Sequence, residues 1–153
     1  MQQKTTDDLD EQLKNMDPGQ LDGYLKENRG YLAEAEKEFY YYMKDILEEK
    51  RILLKDLYVQ AGVKERYGSK ILRQEKRTAD RNLIIRLCLA GHLNLDETNR
   101  ALKLYGMRGL YSKDPRDACL IVAINNRKFD VYEVDEMLRG KGFESLFKKV
   151  EWD

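Results

Sequence analysis

Basic and hydroxyl side chains gather in residues 55–77, and their chemistry suits contact with phosphate groups and base edges. Lysine and arginine neutralise phosphates and donate to guanine acceptor atoms, and a serine hydroxyl binds either group. Residues 51–77 contain 8 basic and 3 acidic residues, whereas residues 1–50 contain 7 basic and 13 acidic residues, in a chain of zero net charge. This segregation predicts a phosphate-binding patch, the alternative being a solvated basic helix face. The candidate side chains are Lys55, Lys64, Arg66, Ser69, Lys70, Arg73, Lys76 and Arg77.

Two short helices joined by a tight turn at Ala61-Gly62-Val63 are predicted to position this patch. Gly62 stands where one helix must stop and the chain must turn, a position that commonly requires a positive φ and favours glycine. A short helix, a glycine turn and a basic second helix are the parts of a DNA-binding helix-turn-helix. The apolar residues at helical spacing, which predict the buried faces, are Leu54, Leu57, Tyr58 and Ala61 before the turn and Tyr67, Ile71 and Leu72 after it.

If DNA is the partner, the second helix, Lys64–Gln74, is predicted to be the recognition helix in the major groove. Arg66 and Lys70 are the candidates for base contacts, on a face that they share with Ser69 and Arg73. Five phosphate contacts predict a slope of log K against log salt of about −4 to −5. A single small domain would need a second copy for a tight site, so a homodimer is expected, through a C-terminal hairpin or through the tyrosine-rich first helix. The phosphate contacts are assigned to Lys55, Lys64, Arg73, Lys76 and Arg77.

The remaining chain is predicted to be helical, without strands. Asp17-Pro18-Gly19 is a turn or helix-start signal, because aspartate caps helices and proline fits the first helical position. Within the run Tyr40–Tyr42, at least one ring must face solvent or a partner, because three consecutive residues cannot share one helix face. Further helices are predicted at Gln20–Asn28 with Leu21, Tyr24 and Leu25 on one face, at Glu36–Arg51, at Arg81–Ala90 and from Asn94 or Asp96 to Tyr105, and residues 1–17 suit either a short amphipathic helix or a frayed arm.

Residues 81–111 and 116–147 resemble each other in sequence. Gly106 and Gly142 take matching places, as do Leu110 and Leu146. Two helical hairpins of about 35 residues stacked in series would explain the pattern, because neither hairpin could bury its apolar face alone. Asp114-Pro115 is a clear start signal for the second hairpin.

Catalysis, metal binding and membrane insertion find little support in the sequence. The single histidine, His92, falls between two predicted helices, where a surface or capping role is expected. Cys88 and Cys119 lie in apolar helical sequence, which predicts buried, reduced thiols without metal-ligand spacing. No phosphate-binding loop, dinucleotide-binding or hydrolase motif occurs. No stretch reaches the roughly 18 apolar residues of a membrane span, and no signal peptide is recognisable, so a cytoplasmic protein that is not an enzyme and needs no cofactor is expected.

Residues 39–105 resemble the XRE (phage Cro/repressor-like) helix-turn-helix family, and a bacterial subgroup with a C-terminal helical extension is similar over about residues 21–147. The resemblance implies a lambda-repressor-like five-helix domain that binds double-stranded DNA and regulates transcription. The chain departs from the family by lacking a glutamine at Leu53-Leu54-Lys55 and a G-x-x-x-P motif at Gln74–Thr78, and by carrying Glu65. The matching positions are Ile52, Leu57, Gly62-Val63, Ser69, Lys70, Ile71, Arg73, Leu83, Leu87 and residues 93–97, with YLKEN (24–28), ALKLYGMRGLY (101–111) and KDPRDACLIVAI (113–124) for the subgroup.

Three regions follow from these observations. Residues 1–35 are expected to form an acidic N-terminal arm with a short helix, residues 36–111 the helix-turn-helix domain, and residues 112–153 a helical extension packed on the core. The alternative is a protein-interaction or signalling module that keeps the fold with weak or no DNA binding. Zero net charge, the acidic N-terminus and the family departures favour that alternative.

Overall fold

Helices are the regular elements of residues 6–27 and 37–148, which are the residues that the computed structural model describes, and no strand occurs among them. The prediction of an all-α protein is therefore confirmed. The run Cys119–Ile124, which is rich in β-branched side chains, lies inside a helix. None of the described helices is long and apolar enough to cross a membrane. The chain divides into two units, Met1–Glu38 and Phe39–Asp153.

The first unit contains two short helices, α1 (Thr6–Lys14) and α2 (Leu21–Glu27), separated by a single 3₁₀ turn at Pro18–Gln20. The Asp17 N–H donates to Oε1 of Gln20 at 2.9 Å, which confirms the start signal at Asp17-Pro18. Tyr24 is buried, but the predicted shared apolar face is wrong for Leu21 and Leu25, which are each nearly half exposed. The described part of this unit has few large apolar residues to cover them. Asn28, the predicted end of α2, lies outside the described residues.

The second unit is built around a helix that is buried on all sides. Its helices are α3 (Glu38–Glu49), α4 (Leu54–Ala61), α5 (Glu65–Leu72), α6 (Arg81–Ala90), α7 (Leu95–Leu104), α8 (Pro115–Asn125) and α9 (Val131–Gly140). Every residue from Leu83 to Ala90 is buried, because α4, α7 and α9 all pack against α6. A central helix of this kind can be apolar around its whole circumference.

Helix α3 buries one face and exposes one tyrosine. Phe39 and Met43 are fully buried, and the Phe39 ring meets Tyr105 edge-on at 4.8 Å between centroids. Tyr41 is exposed, while Tyr40 and Tyr42 pack partly against the core, so the prediction for the tyrosine run is confirmed.

The two hairpins, α6–α7 and α8–α9, are closed by equivalent hydrogen bonds. Near the start of each first helix an arginine donates to two carbonyl oxygens of the segment that follows the second helix. Arg81 donates to Arg108 O and Gly109 O at 3.2 and 2.9 Å. Arg116 donates to Glu144 O and Ser145 O at 3.2 and 3.3 Å. The sequence resemblance between the hairpins therefore extends to their polar closure.

A second pair of equivalent bonds fixes the chain after each hairpin. Oδ1 of Asn99 in α7 accepts from the Leu110 N–H at 2.8 Å. Oδ1 of Asp135 in α9 accepts from the Leu146 N–H at 2.6 Å. Leu110 and Leu146 are both buried, so each bond anchors an apolar side chain in the core.

A buried ion pair joins one hairpin to the other. The Arg81 guanidinium donates to both carboxylate oxygens of Asp117 at 3.1 and 3.0 Å, and the Tyr111 N–H donates to the same carboxylate at 3.0 Å. Burial alone would raise the pKa of Asp117, but these hydrogen bonds and the Arg81 charge outweigh burial and hold that pKa below its ordinary value. The carboxylate is therefore ionised and fully paired at neutral pH.

The residues with reactive side chains lie apart from one another. Cys88 is fully buried, and burial raises the pKa of its thiol to about 12, whereas Cys119 is only partly buried. The prediction of burial is thus confirmed for Cys88 and only partly for Cys119. His92 is exposed at the turn between α6 and α7, as predicted, and stacks on Phe129. Within the described ranges, no three histidine, cysteine or acidic side chains converge on a point that could hold a metal.

Candidate nucleic-acid interface

The turn between α4 and α5 has the geometry that the glycine predicts. Gly62 has φ 68° and ψ 37°, in the left-handed region, and its N–H donates to carbonyl oxygens at the end of α4. The Val63 N–H then donates to Tyr58 O at 3.1 Å. This pattern ends α4 and starts α5 after three residues, which confirms the predicted helix–turn–helix segment in its local form.

The buried face of α5 differs from the prediction at Tyr67. Gly68, Ile71 and Leu72 are buried, but Tyr67 is 37% exposed instead of facing the core. Helix α5 faces α4 through Gly68 instead, since a Cβ placed on Gly68 would lie 2.8 Å from Cδ1 of Tyr58. A glycine is therefore needed where the two helices meet.

The predicted inward position of Leu54 is also wrong. Its side chain is 36% exposed, in the first turn of α4, while Leu57 and Ala61 are fully buried as predicted. Leu54 is the first residue of α4, one helical turn before the buried Leu57. Its neighbour Leu53 is still more exposed, at 59%.

Helix α5 is shorter than the predicted recognition helix Lys64–Gln74. It runs Glu65–Leu72, with Lys64 as its N-cap residue and Arg73 as its C-cap residue. Gln74 has φ 59° and lies past the end of the helix. Its Oε1 accepts the Tyr40 N–H at 3.1 Å, so the side chain satisfies a donor in the first turn of α3 and is not available for a ligand.

Three basic residues form the outward face of α5. Arg66, Lys70 and Arg73 recur at the spacing of one helix face, and all three are exposed opposite the buried Gly68 and Ile71. Ser69 lies at the edge of this face and is only half exposed. The structure thus brings Arg66, Lys70 and Arg73 together, as predicted, and places Ser69 on the flank.

The remaining basic residues fall into two groups. Lys55, in the first turn of α4, and Lys64 are exposed and make no ion pair within the described parts of the chain. Lys76 and Arg77 are held against tyrosines after α5. The Lys76 Nζ lies 5.3 Å from the ring centroid of Tyr67. Arg77 donates from Nη2 to Tyr105 O at 3.2 Å and lies over the ring of Tyr105.

Both α4 and α5 begin without a side-chain cap. Leu53 is the N-cap residue of α4 and Lys64 that of α5, and neither side chain accepts a hydrogen bond from the helix. The first N–H groups of a helix point along its axis and favour an anion. At the start of α5 these donors and the charge of Lys64 favour an anion, whereas Glu65 in the first turn opposes one.

The sequence predicts burial for both Tyr58 and Tyr67, which is confirmed for Tyr58 and wrong for Tyr67. Tyr67 lies exposed beside Arg66 and Lys70, where its ring can contact a base or a sugar. Tyr58 is buried, and its hydroxyl has no hydrogen-bond partner within the described residues. Burial raises the pKa of Tyr58, and the neighbouring Ser69 and Arg73 oppose that shift only in part. Gly68 was the available signal, because a glycine inside a helix often marks a close packing contact.

Comparison with models of protein families, with curated protein sequences and with solved structures finds no match to this chain. The function is therefore inferred from the side chains on α4, on α5 and in the loop after them.

Proposed function

We propose that this protein is a sequence-specific DNA-binding transcriptional regulator of the XRE type, with α5 as its recognition helix. The observation that carries the proposal is the exposed face of Arg66, Lys70 and Arg73, which is free of carboxylate partners in the described part of the chain. Cations left unpaired on one narrow helix face suit a polyanionic ligand. In this proposal α3 to α7 form the lambda-repressor-like domain, and α8–α9 form its extension.

The dimensions of α5 suit the major groove of DNA. An α-helix with its side chains is about 10–12 Å in diameter, which fits the roughly 12 Å width of the groove, and the 8 residues of α5 extend about 12 Å along its axis. Arg66 and Lys70 would donate to the acceptor atoms of guanine, with Tyr67 against a neighbouring base or sugar. Glu65, at the first position of the helix, would accept from a cytosine amino group.

Phosphate contacts would flank the recognition helix on both sides. Lys55 and Lys64 mark the uncapped starts of α4 and α5, and Arg73 marks the end of α5. Lys76 and Arg77 would extend the patch if their contacts with Tyr67 and Tyr105 open. A dimer, formed through α8–α9 or through the exposed Tyr41, would present two such surfaces to two half-sites.

Binding to random-sequence duplex DNA at low salt tests the proposal. The R66E/K70E variant should bind about 100-fold more weakly than the wild type, because it reverses two central contacts. The K113E/K141E variant changes the net charge equally at two exposed lysines outside α4 and α5, and should bind nearly as well as the wild type. Equal binding by R66E/K70E and the wild type would refute the proposal.

The salt dependence of the same binding reaction counts the phosphate contacts. Contacts from Lys55, Lys64, Arg73, Lys76 and Arg77 give a slope of log K against log salt of about −4.5, at −0.9 for each neutralised phosphate. If Lys76 and Arg77 stay on their tyrosines, the three remaining contacts give a slope of about −2.7. The slope therefore tells whether these two side chains leave the protein surface when DNA binds.

The alternative function is a protein-interaction or signalling module with the same fold. It is favoured by Leu53 and Val59 of α4, which are 59% and 70% exposed, beside the surface that would approach DNA. Under this alternative, R66E/K70E leaves the weak DNA binding unchanged. A Leu53→Ser/Val59→Ser variant then loses the protein partner, which a pull-down with wild-type and variant protein would show.

A further inference from the structure

The turn of the helix-turn-helix segment is contacted by two side chains from the C-terminal hairpin and the segment after it. A Cβ placed on Gly62 would lie 2.7 Å from Cε1 of Phe147 and 2.8 Å from Oη of Tyr132. The two rings stack on each other, with centroids 5.2 Å apart and planes inclined by 16°. A side chain at Gly62 would therefore collide with the edges of these two rings unless they moved, in addition to needing the positive φ.

Arg86 of the central helix lies beneath the same contact. Its guanidinium lies 4.4 Å from the ring centroid of Phe147, and its Nη1 donates to Gly62 O at 3.5 Å. Arg86 is 7% exposed, and its Nε has no hydrogen-bond partner among the described residues. No described carboxylate forms an ion pair with it, although the charges of Asp80 and Asp135 act on it from a greater distance. The Phe147 ring and the Gly62 carbonyl are its direct contacts.

We propose that Phe147, Tyr132 and Arg86 form a clasp that holds the turn at Gly62 and thereby sets the orientation of α5. The three side chains are positioning residues, since they act on α5 through the turn and not through contact with a ligand. The inference rests on the proposed function where it concerns DNA. Its structural part, that the conformation of the turn depends on the C-terminal hairpin, does not depend on the proposed function.

The clasp connects residues that are far apart in the sequence, through contacts that few other side chains could make. A buried cation needs a partner that faces its charge, and an aromatic ring can serve as that partner. Without the Phe147 ring, the Arg86 guanidinium would lose the aromatic face beside it, and Gly62 would lose its nearest side-chain contact. Because α5 begins three residues after Gly62, a small rotation of the turn moves Arg66 and Lys70 away from the groove.

Hydrogen exchange of the backbone amides of Val63 and Gly68, which donate to Tyr58 O and Lys64 O, tests the structural part. Phe147→Ala should lower protection there by about 3- to 30-fold, a typical range for coupling through packed contacts. Phe143→Ala is the matched control, because Phe143 packs partly on the core from the same segment and is not among the atoms nearest Gly62. Phe147→Tyr keeps the ring and should restore protection. Equal protection in Phe147→Ala and Phe143→Ala would overturn the proposal.

A second variant avoids the risk that Phe147→Ala fails to fold. Tyr132 is 57% exposed, so Tyr132→Ala removes the outer ring of the clasp with little threat to the core. It should show the same local loss of protection at Val63 and Gly68, without loss in α7. If protection in α7 falls by the same factor, the effect is global unfolding and the clasp is refuted.

DNA affinity tests the functional part with the same proteins. Tyr132→Ala and Phe147→Ala should bind duplex DNA about 3- to 30-fold more weakly, with an unchanged salt slope because neither variant removes a charge. If the wild type binds no DNA, the proposed function fails, while the exchange comparison still decides whether the clasp exists. If both variants lose protection but bind DNA as the wild type does, the clasp does not position α5.

Discussion

The two hairpins have side-chain caps at the starts of their helices, whereas the helix pair α4–α5 has none. Each of α6, α7, α8 and α9 starts at an aspartate or asparagine whose side chain accepts from the first turn, namely Asp80, Asn94, Asp114 and Asp130. Helices α4 and α5 start at Leu53 and Lys64 without such a bond. A side-chain cap stabilises a helix but also blocks its terminal donors. The pair that we propose to bind phosphate is thus the pair whose donors remain open.

The same contrast appears in the charges of the two regions. In the hairpins, Arg81 and Arg116 are used to close the structure, and Asp117 is buried against Arg81. On α5, Arg66 and Lys70 are exposed and unpaired within the described residues. Paired charges specify a structure, whereas unpaired charges on one face leave binding energy for a ligand. Stability and recognition are therefore expected to depend on separate sets of residues.

The largest expected effect is the loss of stability when the ion pair between the hairpins is removed. Asp117→Ala should destabilise the protein by about 3 kcal/mol, because it leaves Arg81 and the Tyr111 N–H without their acceptor. Urea unfolding followed by circular dichroism measures this change. At temperatures where the variant remains folded, its DNA affinity should equal that of the wild type. A loss of affinity in the folded variant would contradict the separation of the two regions.

The pH dependence of stability provides the control for Asp117. Its pKa in the folded protein lies below its ordinary value of 3.8, so the unfolded state binds the proton more readily. The contribution to stability is therefore fully present above that value and is lost as the pH falls through the lower, folded pKa. The variant Asp117→Asn should lack this part of the acid-induced loss. An unchanged acid profile would mean that other carboxylates dominate it.

Removing the side-chain cap of α9 should lower the free energy of unfolding by less than removing Asp117. The Asp130 carboxylate accepts from the Tyr132 N–H at 3.0 Å and the Glu133 N–H at 3.1 Å. Asp130→Ala should therefore cost about 1 kcal/mol of unfolding free energy, measured by the same urea titration. Asp130→Ser keeps a capping oxygen and should recover most of the loss. If both variants are equally unstable, the cap is not the source of the effect.

The smallest expected change in stability is a gain, at the start of α5. Lys64→Asp supplies the missing cap and should stabilise the protein by about 0.5 kcal/mol, less than a typical cap because Glu65 repels the new carboxylate. The same change should weaken DNA binding, since it fills the open donors and reverses a charge. Lys64→Ala removes the charge alone and should reduce the salt slope by about 0.9. Tighter DNA binding by Lys64→Asp would contradict the proposal that the uncapped start of α5 binds phosphate.

Local signals in the sequence predicted most of the helix boundaries. Asp80 and Asp114-Pro115 mark helix starts by a bond within a few residues, and Gly62 and Gly106 take the positive φ that ends a helix. Such signals depend on neighbouring residues alone, so one sequence is enough to recognise them. The same holds for the face of Arg66, Lys70 and Arg73, which follows from helical spacing.

The errors concern contacts between residues far apart in the chain. The spacing of Tyr67 predicts a core position, but α5 packs on the Tyr58 ring through Gly68 and leaves Tyr67 partly exposed. The contact of Phe147 with Gly62 and the bonds of Arg81 depend on how hairpins stack, which spacing does not determine. Gln74 was assigned to α5, although its side chain satisfies the first turn of α3 instead.

The equivalent closures of the two hairpins have a consequence for how this chain can vary in length. Each hairpin ties its own ends together, Arg81 to Gly109 and Arg116 to Ser145, but the two hairpins also share polar contacts. Asp117 of the second hairpin accepts from Arg81 and from the Tyr111 N–H of the first, and Arg116 donates to Asn82. Loss of the second hairpin would leave Arg81 without its acceptor, so a chain shortened by a whole hairpin is expected to carry another residue at position 81.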